Sequence, residues 1–144
     1  MKRLLCVLLI LCVLPVCASA LDLDEFNTCS VVMGASELDI ANAKIAGQYT
    51  GFIQDNCFIY FDEEGGKLKN IFIDGQGDSF LAYCCAAIHV FDLNGDKTRN
   101  YGQLLIMYML SHTEEGHRTG QTSNGTFFFM EQSEKGFMFM IGES

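Results

Sequence analysis

Residues 57–74 read Cys57-Phe58-Ile59-Tyr60-Phe61-Asp62-Glu63-Glu64-Gly65-Gly66-Lys67-Leu68-Lys69-Asn70-Ile71-Phe72-Ile73-Asp74. Two runs rich in aromatic and β-branched residues flank a polar, glycine-bearing break, the pattern of two strands joined by a turn. So short a link favours antiparallel neighbours, since parallel strands need a crossover of about a dozen residues or more.

The same pattern continues on both sides. It predicts strands at Gln48–Ile53, Cys57–Asp62, Leu68–Asp74, Ser79–Asp92, Gly102–Ser111, Gly125–Glu131 and Gly136–Ile141. Between them stand Glu63-Glu64-Gly65-Gly66, Gly75-Gln76-Gly77-Asp78 and Leu93-Asn94-Gly95-Asp96, all with turn chemistry. Upstream, Ser36-Glu37-Leu38-Asp39 resembles a capping box with Asp in place of Glu. Leu38, Ala41 and Ile45 recur at helical spacing, and Gly47 suits a C-cap. These residues predict a short helix over Glu37–Ala46. The expected fold is all-β: an antiparallel meander of about seven strands, barrel or sandwich, preceded by that helix. Leu104, Leu105, Met107, Tyr108 and Met109 would also suit a buried helix.

Several predicted strands have no polar side: Cys57–Phe61, Leu104–Leu110, Phe127–Met130 and Phe137–Ile141. One face fills a core. The other needs a second layer, a ligand, a partner chain or a helix. Clustered Phe and Met suit a yielding apolar cavity. Strand alternation offers Tyr49, Ile53, Ile59, Phe72, Tyr83, Met107, Phe127 and Phe139 as its ligand-binding lining, each fixed only to one parity or the other.

The first twenty residues are a separate object. Lys2 and Arg3 precede an apolar run from Leu4 to Val16, and Ala18-Ser19-Ala20 offers small residues for cleavage. This is the three-part pattern of a secretory signal peptide. The run is shorter than the ~18 residues of a membrane span. The expectation is a signal peptide over 1–20 and one secreted, extracellular domain over 21–144, with no span left after processing.

Full-length charge is −9, with 9 basic against 18 acidic residues, and 49% of residues are hydrophobic. Loss of Lys2 and Arg3 would move the charge to 7 − 18 = −11. So acidic a chain argues against nucleic-acid backbones and anionic membranes as partners. An apolar composition with few charges argues against a disordered chain.

Four cysteines follow the signal: Cys29, Cys57, Cys84 and Cys85. In an exported chain they read as two disulfides, with three possible connectivities. Cys84 and Cys85, on opposite faces of a strand, would take different partners, leaving Cys29 and Cys57 to supply them.

Leu38-Asp39-Ile40 followed by Lys44-Ile45-Ala46-Gly47-Gln48-Tyr49 resembles the opening of lipocalins, where a helical lead precedes Gly-x-Trp on the first barrel strand. The resemblance implies a closed antiparallel barrel that carries a small hydrophobic molecule. Gly47 would match the motif glycine, and Tyr49 would stand where its Trp closes the barrel floor.

Other patterns are weaker. Asp92-Leu93-Asn94-Gly95-Asp96-Lys97 begins like a calcium loop, but Lys97 and Gln103 fall where Gly and a bidentate Glu belong, so a hairpin turn explains it better. His112-Thr113-Glu114-Glu115-Gly116-His117 reads as a solvated loop, and no metal or cofactor is expected. Neither a nucleophile elbow nor a phosphate-binding glycine loop occurs, so no catalytic residue is assigned. Asn124-Gly125-Thr126 is a glycosylation sequon, with Asn124 as acceptor. Three functions follow: a secreted carrier of a small hydrophobic ligand; a secreted interaction module, such as an inhibitor, effector or matrix component, that meets an extracellular protein; or a small secreted hydrolase, for which the 18 carboxylates supply candidate acidic pairs.

Overall fold

The computed structural model describes residues 17–91, 117–122, 125–134 and 136–143. Helix α1 (Cys17–Val32) leads through a 3₁₀ turn (Ile40–Asn42) into strands β1 (Lys44–Ala46), β2 (Tyr49–Gln54), β3 (Cys57–Glu64) and β4 (Lys67–Gly75). Helix α2 (Gly77–Phe91) follows, and then β5 (His117–Gln121), β6 (Phe127–Ser133) and β7 (Gly136–Gly142). The fold is mostly β. All seven strands form one antiparallel sheet in the order β1-β2-β3-β4-β7-β6-β5.

The turns set the register. Asp55 and Asn56 both have positive φ, as do Gly65 and Gly66, so the β2–β3 and β3–β4 links are two-residue turns twisted to match their strands. Strand parity then sorts the side chains. Phe52, Ile59, Ile73, Phe139 and Met130 lie in one row across the inner face, and Phe61, Ile71, Ile141 and Phe128 in the next. All nine are buried.

Both helices cover this inner face. Phe26 of α1 meets Phe61 edge-on at 5.0 Å and stacks on Tyr83 of α2 at 6.0 Å, while Phe80 of α2 stacks on Phe137 at 6.2 Å. A polar node ties the helices to the sheet. The Asp55 carboxylate accepts the Ser36 N–H at 2.8 Å, the Ser36 hydroxyl at 2.7 Å and the Tyr83 hydroxyl at 3.0 Å.

Four expectations need correction. Among the described residues the sheet runs from β1 at one end to β5 at the other and does not close into a barrel. Its two halves, β1–β4 and β5–β7, meet at β4 and β7 with α2 between them in sequence, so it is no simple meander. Ser79–Asp92 is not a strand, because Ser79 to Phe91 belong to α2. That segment is apolar on every side, and periodicity cannot separate a buried helix from a buried strand. Its alanines (Ala82, Ala86, Ala87) and Asp78 in its first turn favour the helix, which packs beside α1 and against β4 and β7.

The helix expected over Glu37–Ala46 is also absent. Ser36 gives its side chain to Asp55 instead of capping, and the Leu38 N–H is taken by the Asn27 side chain at 2.8 Å. Only one 3₁₀ turn forms before Lys44–Ala46 pairs with β2. Among the described residues the helix that precedes the sheet is α1. Strands β1 and β5 lie outside the predicted set, and the Gly102–Ser111 prediction lies outside the described residues.

Candidate functional site

The outer face of the sheet is the feature that packing leaves unexplained. Gly51, Tyr60, Phe72, Met140, Phe129 and Thr119 form a continuous row across β2, β3, β4, β7, β6 and β5. Ile53, Phe58, Asp74, Met138 and Glu131 form the row on one side, and Tyr49, Asp62, Asn70, Gly142 and Phe127 the row on the other. An apolar band of Tyr60, Phe72, Met140 and Phe129 thus crosses the middle strands β3, β4, β7 and β6, with Asp62, Asp74 and Glu131 at its margins. Tyr60 and Phe72 face each other with ring centroids 6.1 Å apart. Ile53 is 67% exposed, Phe127 58%, Tyr49 49% and Tyr60 42%, so solvent reaches this face. Among the described residues, both helices pack on the opposite side.

The margins are ordered by hydrogen bonds. Asp62 accepts from Gln48 Nε2 at 2.8 Å and from Asn70 Nδ2 at 3.0 Å. Beyond Asn70, Lys67 and Lys69 donate to Glu143, whose carboxyl they hold down at about 2. Beside Met140 is a shallow depression of about 160 Å³ lined by Asn70, Thr119, Phe127, Phe128, Phe129 and Gly142. An open groove of about 840 Å³ rounds the end of the sheet at the β2–β3 and β6–β7 turns. Asn56, Gln76, Gln132 and Glu134 line it beside Ile53, Phe58 and Phe137.

The eight residues expected to line one cavity are divided. Tyr49, Ile53, Phe72 and Phe127 stand on the outer face. Ile59 and Phe139 flank Ile73 in one buried inner row, and Tyr83 is buried on α2 against Phe26. Tyr49 opens β2, and Gly47 sits in the β1–β2 turn at φ 63°. Met107 and Asn124 lie outside the described residues, as do residues 92–97 and 112–116. Tyr60, Phe129, Met138 and Met140 belong to the outer band and were not singled out. Their signal was present as strands without a polar side.

Cys29, Cys57, Cys84 and Cys85 are all buried in the one core, and no disulfide is formed among the described residues. Among the described residues there is also no group of three or more His, Cys, Asp and Glu placed to hold a metal, and no helix long and apolar enough to cross a membrane. No family model matches the chain, and no curated protein or solved structure matches it either.

Proposed function

We propose that the protein is a secreted interaction module that meets an extracellular protein through the outer face of its sheet. The observation that carries this reading is the outer-face row in which exposed Tyr60 stands beside half-buried Phe72, Met140 and Phe129, flanked by exposed Ile53, Tyr49 and Phe127, while two helices fill the inner face. A soluble monomer rarely leaves so large an apolar patch without use. The acids at its margins, Asp62, Asp74 and Glu131, select a partner patch that is apolar at its centre and basic around it.

The test places a photo-crosslinking residue at Tyr60, or for comparison at exposed Asn42, and irradiates the protein in the extracellular fluid of its source. A partner captured from position 60 alone is then purified and titrated. Phe129→Asp should weaken that complex at least tenfold while the thermal transition stays cooperative. Capture from position 42 alone, or unchanged affinity in the variant, would reject the sheet face.

The depression beside Met140 favours a second reading, a carrier of a small hydrophobic molecule held by Phe127, Phe129 and Met140. A fluorescent fatty-acid titration separates the two. Saturable, stoichiometric binding that unlabelled ligand competes away would put the carrier ahead.

A further inference from the structure

We propose that Cys29 bonds to Cys85 and Cys57 to Cys84, two disulfides that fasten α1 to α2 and α2 to the sheet. The pairing follows from how the helices lie. Glu25 Oε1 of α1 is 2.7 Å from His89 Nε2 of α2, and the Tyr83 hydroxyl donates to the Ser36 carbonyl, beyond the end of α1, at 3.2 Å. Moving forward along α1 therefore moves backward along α2, and the helices are antiparallel. Cys29 is four residues after Glu25, and Cys85 is four residues before His89. Residues four apart share a helix face, and both helices rise equally per residue. The contact that joins Glu25 to His89 is thus repeated one turn on by Cys29 and Cys85.

The second pair lies under the other side of α2. Gly75 of β4 pairs with Phe137 of β7, and Cys57 at the start of β3 lies directly against Gly75 on the inner side. Gly75 has no side chain over Cys57, whose Sγ lies only 2.6 Å from where a Cβ would stand. Phe80 of α2 stacks on Phe137, and Cys84 is one turn further along the same helix face. Tyr83, beside Cys84, reaches Asp55, two residues before Cys57. The thiol environments agree with both pairs. Burial pushes Cys84 well up, with the Cys85 and Cys57 thiols adding to the effect. Burial pushes Cys85 up to about 12, with Cys29 adding.

Each bridge forms by exchange with an oxidised dithiol carrier of the secretory compartment. A cysteine thiolate attacks the carrier disulfide, and the second cysteine of the pair displaces the carrier from the mixed disulfide. One S–S bond forms in the protein, two protons are released from its thiols, and the carrier takes the two electrons as its own pair of thiols. All four cysteines are buried once the core has closed, out of a carrier's reach, so the bridges form while the helices are docking.

Double variants of the full chain, secreted from a eukaryotic cell, read the connectivity. Thiols are alkylated in denaturant without reduction, and each labelled cysteine is located by peptide mass spectrometry. In C29S/C85S, Cys57 and Cys84 should both stay unlabelled. In C29S/C84S, Cys57 and Cys85 should both take label. The reverse pattern overturns the pairing. The wild-type chain guards against misfolded variants. Stepwise reduction at acid pH with cyanylation and cleavage should release Cys29 with Cys85, or Cys57 with Cys84, and any other coupling overturns the proposal. So does label at all four positions in wild-type protein with a cooperative thermal transition.

Discussion

Asp55 carries more of the fold than its place in a turn suggests. Its carboxyl is held below the ordinary range, first by the Ser36 backbone N–H and further by the hydroxyls of Ser36, Tyr83 and Ser79, while burial works against them. A carboxyl lowered in the folded state adds stability that is complete above its unfolded value, about 4, and is lost as pH falls through the folded value. Asp55→Asn should therefore cost about 1 kcal/mol at neutral pH and flatten the acid limb of stability below about pH 4, as read by urea melts across pH. Asn tolerates the positive φ of this position, so the change tests the charge and not the turn. Gly75 is constrained from the other side. In Gly75→Ala the new methyl would press on the Cys57 sulfur, at a cost of about 1–3 kcal/mol in denaturant unfolding. The cost should be larger in oxidised than in reduced protein, because a bridged sulfur cannot swing aside.

At the scale of elements, strands were legible where turn chemistry bounded them. Glu63-Glu64-Gly65-Gly66 marked the β3–β4 hairpin in the sequence, and the structure tightens it to a two-residue turn at Gly65-Gly66 with Glu64 paired to Lys67. Ser79 to Phe91 were not legible, because a segment buried on all sides shows no period. The face each strand turns to the core was also open, and the parity choice separates Ile53 from Ile59 by one strand and one face. Ile59→Ala should cost about 2–5 kcal/mol, as for a large buried side chain. Ile53→Ala, at 67% exposure, should stay within about 0.5 kcal/mol in the same equilibrium unfolding measurement.

For the whole molecule, the N-terminal segment and the core meet within α1. Cleavage after Ala20 would leave Leu23 to Val32 in place, including Phe26 and Cys29, which are buried against the sheet and α2. A chain beginning at Leu21 should keep a cooperative thermal transition. One beginning at Met33 should lose it, since α2 would then expose the face that α1 covers. Reduction of the folded protein should lower its stability by about 3–4 kcal/mol per bridge if the loops closed are as long as proposed, measured by melts with and without reductant. The open sheet sets the remaining terms. Among the described residues the inner face is filled by two helices, and Ile53, Tyr49, Tyr60 and Phe127 of the outer face are exposed.

What the sequence by itself determined was local. Short runs of aromatic and β-branched residues between polar or glycine-bearing breaks placed five of the seven described strands, β2, β3, β4, β6 and β7, since local conformation at such breaks depends on a few adjacent residues. Tertiary structure alone decided that α2 is a helix, that Ser36 serves Asp55 instead of a cap, and that Tyr60, Phe72, Met140 and Phe129 form one band. Each of those outcomes depends on what packs above or beside a residue far away in the chain. When every side of a segment is apolar, the sequence states that it will be buried or used, and only the assembled layers state which.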